Sequence, residues 1–466
     1  MKKAEDFGEW YNEIVERANL TDKRYPIKGM NVWTPYGWKI MQAIDTHIRK
    51  EFDATNHQEV CFPLLIPQNQ FEKEKEHIKG FDTEVFWVTH AGLNPLDVKL
   101  LLRPTSETAM YPMFALWVRS HADLPLKTYQ IVNTFRYETK QTRAFIRVRE
   151  IHFFEAHTCH ADYEDSERQC REDYEIMERL SKKWCIPYKL LKRTDWDKFP
   201  GAFYTVGIDT LMPDGRSLQL GSIHQYMENF SKPYEIKYED EKGDHKYVHQ
   251  TTYGMSERLV GAIVALHGDD KGLVLPPDVA TNQVVIIPVL AKGATEKVGA
   301  EARELRDQLM AAGVRVHLDV RDVRPGVKYY DWELRGVPLR LELGMKDIEK
   351  GKVTFVRRDT GEKSLKDRKH VVNEVIRMLS LISMEMLERA RKGMQENIVT
   401  INSLGNVPAD KMIRTGWCGS EECGKEIETR SDKSIIGTPI DGEAFTGGCV
   451  VCGKPVKTPV YLAKAM

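Results

Sequence analysis

Arginines, glutamates and aromatic residues recur between residues 133 and 157, in the sequence NTFRYETKQTRAFIRVREIHFFEAH. A strand that faces a hydrophobic core rarely carries so many charges. Guanidinium groups bind phosphates, a flat aromatic ring stacks on a base, and carboxylates accept hydrogen bonds from amines. The residue types of this segment therefore suit the binding of a nucleotide.

A β-hairpin would bring these side chains together, because residues two apart share one face of a strand. Arg136 and Glu138 share a face of the predicted first strand, and residues 139–144 form a basic loop at the tip. The second strand presents on one face the side chains of Arg147, Arg149, Ile151, Phe153, Glu155 and His157. A solvated basic strand pair with cross-strand salt bridges would show the same pattern. Arg258, at the start of a predicted helix far downstream, favours the binding site over this alternative.

Composition indicates a multidomain protein with buried cores. Its 466 residues are 41% hydrophobic, which is enough for about two to four domains. Lys and Arg (68) nearly balance Asp and Glu (69), so any nucleic-acid contact has to use local basic patches. No segment approaches the roughly 18–20 apolar residues that cross a bilayer, and no apolar run follows the start. We therefore expect a cytoplasmic protein without a membrane span.

The order of apolar patterns predicts three domains, which we place at residues 1–277, 278–385 and 386–466. Pro276 and Pro277 mark the first boundary. In the first domain we predict a short helix within 1–30, helices at 38–52, from 105 and at 164–184, a strand at 59–65, a hairpin turning at 213–215, and a strand and helix within 251–268. In the second we predict strands at 283–290, 314–320, 339–343 and 353–358, helices at 295–312 and 328–336, and a long helix at 371–392 leading onward. The fold class is therefore multidomain α/β.

Four of the eight cysteines form a cluster: Cys418, Cys423, Cys449 and Cys452. Two pairs of thiolates supply the four soft ligands that a structural zinc ion takes in tetrahedral geometry. Such a metal would stabilise a module of about 60 residues that has little core of its own. Four unrelated buried thiols are the alternative, since the first spacing is longer than the usual two residues. Because four protein ligands leave no position for water, we expect Zn²⁺ in a structural role.

Two of these features resemble signature motifs of class II aminoacyl-tRNA synthetases. Phe135-Arg136-Tyr137-Glu138 with Arg149-x3-Phe153 is similar to the second motif, and Gly254-x3-Arg258 is similar to the third. The helix and strand before Pro63 resemble the first motif, which forms the dimer interface in that class. The resemblance therefore implies a homodimer.

Longer matches resemble the prolyl-tRNA synthetase family. They are Arg103-Pro-Thr-Ser-Glu107, Leu211-Met-Pro-Asp-Gly-Arg-Ser-Leu-Gln219, His267-Gly-Asp-Asp-Lys-Gly-Leu-Val-Leu-Pro-Pro277 and Trp332-Glu-Leu-Arg-Gly-Val-Pro-Leu-Arg340. The cysteine cluster is similar to that of the archaeal and eukaryotic-like branch. Roughly 100 residues separate Glu150 from Gly254, too few for the editing domain inserted in the bacterial branch. The implied fold is a class II antiparallel-sheet catalytic domain, an α/β anticodon-binding domain and a small zinc-binding α/β module.

The resemblance implies a two-step ligase that forms prolyl-adenylate from ATP and proline and then transfers the prolyl group to the proline tRNA. Arg136 and Arg258 match the catalytic positions. Arg136 would hold the α-phosphate and the attacking carboxylate, Phe153 would stack on adenine, and Arg149 would bind outer phosphates. The implied ATP-binding residues are Arg136, Glu138, Arg149, Phe153, Gln219 and Arg258. Mg²⁺ would bridge phosphate oxygens.

A proline pocket needs acceptors for a secondary ammonium and an apolar wall. By the same resemblance, Thr105 and Glu107 would bind the ammonium and Phe203 would form a wall. The implied proline-binding residues are Thr105, Glu107, Arg136, Glu155, His157, Phe203, Ser222 and His224. The chain departs from the family's Gly-Thr-Ser-His stretch by carrying Ile223, and its last residue is Met466 where relatives of this branch often have tyrosine.

Charged residues between 333 and 347 would read the anticodon, because unstacked bases are recognised through hydrogen bonds on their Watson–Crick edges. The candidates are Glu333, Arg340, Glu342, Lys346 and Asp347. A solvated loop is the alternative explanation for each of these charges. The proline tRNA would thus contact both the acceptor-end site and this segment.

Two other functions stay open from the sequence. The nearest is a class II synthetase for another small amino acid, such as threonine or glycine. The other is a non-catalytic, synthetase-like protein that binds tRNA. The presence of both Arg136 and Arg258 argues against the second, since a non-catalytic relative has no need of phosphate-binding arginines.

Overall fold

The computed structural model describes residues 2–74, 84–289 and 295–466. Within these residues, fourteen strands and six α-helices precede the proline pair at 276–277. The strands are β1 (Thr21–Asp22), β2 (Val32–Trp33), β3 (Gln58–Glu59), β4 (Leu65–Pro67), β5 (Trp87–Ala91), β6 (Asn94–Leu102), β7 (Leu126–Phe135), β8 (Glu150–His160), β9 (Lys189–Lys192), β10 (Tyr204–Leu211), β11 (Arg216–Met227), β12 (Lys237–Glu239), β13 (His245–Tyr247) and β14 (His249–Ser256). The helices are α1 (Phe7–Arg17), α2 (Pro35–Ala54), α3 (Gln68–Phe71), α4 (Glu107–Trp117), α5 (Tyr163–Trp184) and α6 (Arg258–His267).

The second region alternates strands and helices around a mixed sheet. Its strands are β15 (Val284–Val289), β16 (Val316–Leu318), β17 (Leu339–Gly344), β18 (Lys352–Arg357) and β19 (Lys363–Asp367). Its helices are α7 (Thr295–Ala311), α8 (Pro325–Leu334), α9 (Met345–Glu349) and α10 (Val371–Glu396). The sheet order is β16-β15-β17-β18-β19, with β15 parallel to both neighbours, as a β-α-β unit requires. Leu290, the last residue of the predicted strand 283–290, lies outside the described residues.

The C-terminal region extends the sheet of the first region. Its strands are β20 (Ile398–Thr400), β21 (Met412–Gly416), β22 (Ser434–Pro439), β23 (Gly447–Gly448), β24 (Pro455–Val456) and β25 (Pro459–Ala465), and its helix is α11 (Glu421–Ser431). Within the described residues the central sheet has 11 strands in the order β20-β21-β25-β22-β9-β10-β11-β14-β8-β7-β3. β22 pairs with β9, and β25 also pairs with β11, so the last region is hydrogen-bonded to the first at two places.

Helices cover one face of this central sheet. α2 begins at Pro35 after Thr34, whose side chain accepts a hydrogen bond from the Gly37 amide. Its buried side, which includes Ile44 and Phe52, packs in the main core with α5, α6 and the sheet. The spacing predicted these helices correctly. The opposite face of the sheet is covered in part by α4 and carries the candidate site.

The predicted hairpin between residues 133 and 157 is correct in outline but wrong in its strand ends. β7 and β8 pair antiparallel from Leu126 with Cys159 to Phe135 with Glu150. Arg136 and Glu138 therefore follow the first strand, and Arg147 and Arg149 precede the second. The intervening segment forms its own turn, with Arg143 bridged to Arg147. Alternation by two therefore ends where ladder hydrogen bonding ends.

Two other local predictions also need correction. The predicted strand at 59–65 is divided into β3, at the edge of the central sheet, and β4, which pairs with β6 in another sheet. Pro63 lies between them and cannot donate to a ladder, which explains the division. The helix predicted from residue 105 begins at Glu107; the Thr105 hydroxyl donates to Glu107, and the Ser106 hydroxyl donates to Glu155.

Over the described residues, no helix combines the length and the apolar character that crossing a bilayer requires.

Candidate active site

A cavity of about 420 Å³ opens on the face of the central sheet opposite α2 and α5. Its floor comes from β8, β11 and β14, and its rim from the connection between β7 and β8, the loop after β9 and the start of α4 and α6. Of the residues predicted to bind a nucleotide or an amino acid, those that line it are Thr105, Glu107, Arg136, Glu138, Phe153, Glu155, Gln219, Ser222, His224 and Arg258. Arg149, His157 and Phe203 do not line it.

Arg147 and Arg258 make one end of the cavity positive, and Arg136 lies between this end and the carboxylates of Glu107 and Glu155. Arg258 donates from Nε to the Ile146 carbonyl and from Nη1 to the Gln219 carbonyl, both at 3.0 Å. Burial, together with the neighbouring charges of Arg136 and Arg147, lowers the pKa of Arg258 to about 10. Burial also lowers the pKa of Arg136. Because these like charges face one space, the cavity suits a polyanion.

The tip of the Phe153 ring lies against a glycine on the neighbouring strand. Gly254 is paired with Glu155 in the ladder of β8 and β14, and a Cβ on Gly254 would lie 2.7 Å from the Phe153 Cζ. Only glycine therefore allows the ring to lie in this position. The ring also lines the cavity, where a planar base can stack on it.

Arg149 lies outside the cavity, contrary to the prediction. Its guanidinium stacks over the Tyr137 ring at 4.3 Å, and its Nε donates to the Glu138 carbonyl at 2.9 Å. Strand β8 begins at Glu150, one residue after Arg149, so the alternation of faces at Phe153 does not extend back to Arg149. Arg147, which lines the cavity, donates instead to the main-chain oxygen of Met466 at 2.9 Å.

At the other end of the cavity, Glu107 forms a buried acceptor group. Its Oε2 accepts from the Thr105 hydroxyl, and its Oε1 accepts from the Tyr226 hydroxyl at 2.9 Å. The Glu107 side chain is almost fully buried but reaches the cavity wall. An ammonium group that enters this end would find a carboxylate that is already positioned by two hydroxyl donors.

Glu155 and His157 form a buried ion pair beneath this end. His157 Nε2 donates to Glu155 Oε2 at 3.0 Å, and Gln130 donates to Oε1 at 2.9 Å. Burial acts to raise the pKa of Glu155, but the hydrogen bonds from His157, Ser106 and Gln130 outweigh it and lower the pKa. Burial acts to lower the pKa of His157, but Glu155 raises it overall. His157 therefore positions Glu155 from behind and does not line the cavity itself.

Ser222 and His224 lie on the cavity side of β11. His224 Nδ1 is hydrogen-bonded to the Thr205 hydroxyl and Nε2 to the Ser222 hydroxyl, both at 2.9 Å. Burial lowers the pKa of His224 to about 3, so the imidazole is neutral. Ile223 points to the opposite face and is fully buried in the core. The departure at Ile223 thus changes the core and not the cavity lining.

The apolar wall of this end is Phe199 and not Phe203. Phe199 lines the cavity, with its ring centroid 4.8 Å from that of His224. Phe203 is half-exposed and its ring meets Tyr163 of α5. The two phenylalanines flank a turn at Gly201, which has a φ of +84°. The reversal there places them on different sides of the loop, which the sequence alone did not indicate.

The predicted anticodon residues form two groups. Arg340 links Glu333 and Glu342, with N–O distances of 3.0 Å to each carboxylate. Lys346 and Asp347 belong to α9, and Asp347 accepts from the Gly344 amide at 2.9 Å. The Asp347 carboxylate thus caps this helix, while Lys346 is exposed.

The four cysteines of the predicted metal site converge in space. Cys418 and Cys423 flank the start of α11, and Cys449 and Cys452 lie on the turn between β23 and β24. Their Sγ atoms all lie within 4.8 Å of one another. A tetrahedral zinc site has Zn–S bonds of about 2.3 Å, which places sulfurs roughly 3.8 Å apart, so the donor set and its spacing fit this metal.

Comparison with known proteins supports the same assignment across the chain. Residues 86–267 match the tRNA synthetase class II core domain (G, H, P, S and T), residues 283–378 an anticodon binding domain, and residues 405–466 the prolyl-tRNA synthetase C-terminal domain. A proline–tRNA ligase from Thermococcus kodakarensis is 54% identical over 466 residues, covering 98% of this chain and 97% of the relative.

The chain belongs to the proline–tRNA ligase family.

Other members of the family show similar agreement. The proline–tRNA ligase of Thermoplasma acidophilum is 53% identical over 460 residues and covers 98% of both chains. A solved structure of Giardia lamblia prolyl-tRNA synthetase in complex with prolyl-adenylate is 34% identical, with a TM-score of 0.96, and covers 100% of this chain and 99% of that chain. The class II core, the antiparallel sheet and the anticodon domain of this family are therefore the architecture of this chain.

The cavity of this family member also has lining residues that the sequence did not reveal, among them Arg193, Phe199, Thr252 and Glu257. Glu257 precedes Arg258, and its Oε2 accepts from the His152 amide. Burial raises the pKa of Glu257 to about 8. The position of Glu257 directly before a motif arginine was a signal that the sequence offered. Arg193 and Phe199 lie in a loop that has no recognisable sequence pattern.

Proposed function

We propose that the protein attaches proline to the proline tRNA in two steps, through a prolyl-adenylate intermediate. The observation that carries this proposal is one cavity with an arginine cluster at one end and buried carboxylates at the other. The likeness to proline–tRNA ligases over nearly the whole chain supports the same substrates.

The first step joins the proline carboxylate to the α-phosphorus of ATP. A carboxylate oxygen attacks the phosphorus, the bond to the bridging oxygen of the β-phosphate breaks, and pyrophosphate leaves. The attack brings together two anions, so the barrier falls when positive charge neutralises both. Arg136 is the residue that we place between the α-phosphate and the carboxylate, with Arg258 on the outer phosphates. Mg²⁺ bound to phosphate oxygens would supply further neutralising charge.

The adenosine part of ATP occupies the side of the cavity that Phe153 forms. The ring of Phe153 stacks on adenine, and Glu138 accepts a hydrogen bond from the adenine amino group. Gln219 lines the same part of the cavity and is our candidate for a further polar contact. Arg149 keeps its neighbours Tyr137 and Glu138 in place instead of contacting phosphate.

Proline binds at the carboxylate end. Its secondary ammonium donates to Glu107 and Thr105, and its ring packs against Phe199 near His224. Because His224 is neutral, this wall does not repel the ammonium group. Glu155 adds negative potential, while its partner His157 acts only through it. In the second step, the terminal ribose hydroxyl of the tRNA attacks the prolyl carbonyl, and AMP leaves.

The anticodon of the tRNA contacts the second domain. Arg340 and its carboxylate partners Glu333 and Glu342 present donors and acceptors side by side, as guanine recognition requires. Lys346 adds an exposed positive charge near them. We keep Asp347 in the proposed site because it lies on the same helix as Lys346. Its carboxylate also caps that helix.

We propose that two chains form a cytoplasmic homodimer, the organisation that the class implies. Large apolar side chains are exposed on the small sheet of β4, β5 and β6 and on α4; they are Leu64, Leu65, Trp87, Leu93, Val98, Leu116 and Trp117. A patch of this kind commonly marks a protein interface. We also keep the domain limits 1–277, 278–385 and 386–466 as a proposal, and zinc as the metal of the cysteine cluster.

Pyrophosphate exchange with each amino acid in turn tests this function. Exchange measures the reversible formation of the adenylate, and we expect proline to exceed threonine and glycine by a wide margin. Equal exchange with threonine would instead support a synthetase for another small amino acid. No exchange with any amino acid, together with retained tRNA binding, would support the non-catalytic alternative.

A further inference from the structure

The loop that joins β9 to β10, residues 193–203, connects the amino-acid end of the cavity to the cysteine-bearing module. One side of the loop contacts the cavity through Phe199 and Pro200. Its other side contacts residues of α11 and the segment before it. The loop therefore offers a route by which a change in the module can reach the amino-acid end of the cavity.

Trp196 is the contact of the loop with the module. Its ring lies against Gly424, where an added Cβ would be 2.5 Å from the Trp196 Cη2. It also meets the Trp417 ring edge-on, with centroids 5.8 Å apart, and the ammonium of Lys425 lies 4.5 Å above it. Gly424 follows Cys423 and Trp417 precedes Cys418, so both contacts are one residue from a metal-site cysteine. The position of the ring thus depends on how those cysteines are held.

A short and rigid path leads from Trp196 to the cavity. Residues 194–198 form one helical turn, in which the Lys198 amide donates to the Thr194 carbonyl at 2.9 Å. The next residue, Phe199, donates from its amide to the Thr205 hydroxyl at 2.9 Å. That hydroxyl is also bonded to His224. The backbone of Phe199 is therefore fixed to both the turn and the cavity wall.

Arg193 forms a second connection at the start of the loop. Its guanidinium donates to the Ile436 carbonyl of β22 and lies 2.7 Å from the Asp209 carboxylate. Gly207 permits this arrangement, because a Cβ there would lie 2.0 Å from the Arg193 Nη2. Arg193 also lines the cavity. The loop thus contacts the C-terminal module at two residues, Arg193 and Trp196.

We propose that Trp196 is a positioning residue through which the cysteine module sets the place of Phe199 and so the affinity for the amino acid. This inference rests on the proposed function, since it concerns the amino-acid end of that site. The ATP end of the cavity is built by β7, β8, β14 and α6 and has no contact with Trp196 among the interactions of the described residues. Displacing Trp196 therefore affects one substrate and leaves the other unchanged.

Kinetics of the Trp196→Ala variant in pyrophosphate exchange test the proposal. We expect the KM for proline to rise about tenfold while the KM for ATP changes less than about twofold, because a shift of the wall weakens only the contacts it makes. Trp196→Phe retains a ring and should restore most of the affinity. Glu426→Ala, on the exposed side of α11 where it pairs with Arg430, is the matched control and should leave both constants unchanged.

A second variant covers the case in which the loss of the Trp196 ring prevents folding. Gly424→Ala keeps the tryptophan but places a methyl group where the ring lies, while alanine favours the helix that contains it. We expect the same selective rise in the KM for proline. Removal of the metal by a chelator should have a matching effect in calorimetry, weakening the binding of proline more than that of ATP.

The outcomes separate the inference from the function. If the wild-type protein shows no proline-dependent exchange, the proposed function fails. If it shows exchange but Trp196→Ala and Gly424→Ala leave the KM for proline within twofold, the inference fails and the function stands. Equal increases in both KM values would also overturn the inference, because they would indicate general destabilisation of the sheet.

Discussion

Single side chains define the two ends of the cavity through charge. Arg147 and Arg258 place positive charge at one end, Glu107 and Glu155 place negative charge at the other, and Arg136 lies between the two groups. Both substrates of the proposed first step are zwitterionic or anionic, so their orientation follows from this separation. The charges lie on different elements, and each is held by hydrogen bonds before substrate enters.

Loss of Arg136 should abolish adenylate formation but not tRNA binding. Arg136→Ala removes the group that we place between the α-phosphate and the carboxylate, and we expect exchange to fall on the order of a thousandfold. Filter binding of tRNA should stay close to the wild-type value, since the anticodon residues are remote in sequence and domain. Arg171→Ala, an exposed arginine on α5, serves as the control. Unchanged exchange in Arg136→Ala would contradict the site assignment.

Neutralising Glu107 should weaken proline binding selectively. Glu107→Gln retains size but removes the charge that accepts the ammonium, and hydrogen bonds to charged groups contribute about 1.5–3 kcal/mol. The KM for proline should therefore rise roughly 10- to 100-fold, with the KM for ATP little changed. Glu175→Gln on the exposed side of α5 is the control. An equal loss for both substrates would indicate that Glu107 only supports the fold.

Glu257 should make stability depend on pH. Burial raises its pKa in the folded state to about 8 from an ordinary value of 4.5. Between these values the folded state holds a proton that the unfolded state releases, so stability falls as the pH rises through this window. Glu257→Gln should remove this part of the decline in melting temperature, while Glu388→Gln, exposed on α10, should not. Parallel pH profiles for wild type and Glu257→Gln would contradict the shift.

For single residues, the sequence indicated which residue types form the site better than it indicated where each side chain lies. Arg136, Phe153 and Arg258 line the cavity as their motifs indicated. Arg149 and Phe203 do not, because each lies just beyond a strand end, where the alternation of faces stops. Side chains in loops follow tertiary contacts that no local period records.

Strands and helices position these side chains by bringing distant segments into register. β8 and β14 lie side by side, so that Glu155 and Gly254 are ladder partners and the Phe153 ring rests on Gly254. α6 begins directly after β14 and presents Arg258 at its first residue. The elements of this arrangement were predictable from period and turn signals. Their pairing order was not, because sequence spacing does not determine which strands become neighbours.

A methyl group between β14 and the Phe153 ring should disturb ATP binding. In Gly254→Ala the new Cβ would lie 2.7 Å from the ring, which has to move away. We expect the KM for ATP to rise about tenfold or more with a smaller change for proline. Gly393→Ala in α10, where nothing lies within 4 Å of the added Cβ, is the matched control and should be neutral. Equal KM values for ATP in wild type and Gly254→Ala would exclude Phe153 as the base platform.

The whole molecule joins its two ends in one sheet. The C-terminal strands pair with β9 and β11, so the cysteine module belongs to the same sheet as the active-site strands. We predicted the module as a separate domain, since no sequence pattern indicates that β22 and β25 continue a sheet whose first strand is β3 (Gln58–Glu59). This continuity explains why we expect changes at the cysteines to reach the amino-acid end of the cavity.

The α/β domain between these regions is joined to the first through a close ion pair. Arg358 contacts both oxygens of Asp269 at 2.7 and 2.6 Å. The strand order of the α/β domain agrees with the predicted β-α-β unit, because the parallel neighbours of β15 require crossover helices. The proposed anticodon-binding residues and the cavity thus belong to separate domains of one chain, as we expect of a protein that contacts both ends of a tRNA.

Charging of transcribed tRNAs with labelled amino acids tests the central claim most directly. We expect the protein to attach proline to the proline tRNA, and to attach neither threonine to the threonine tRNA nor glycine to the glycine tRNA at a comparable rate. Arg136→Ala should form no prolyl-tRNA under the same conditions. Charging of the threonine tRNA, or failure to charge the proline tRNA with ATP and Mg²⁺ present, would contradict the proposed function.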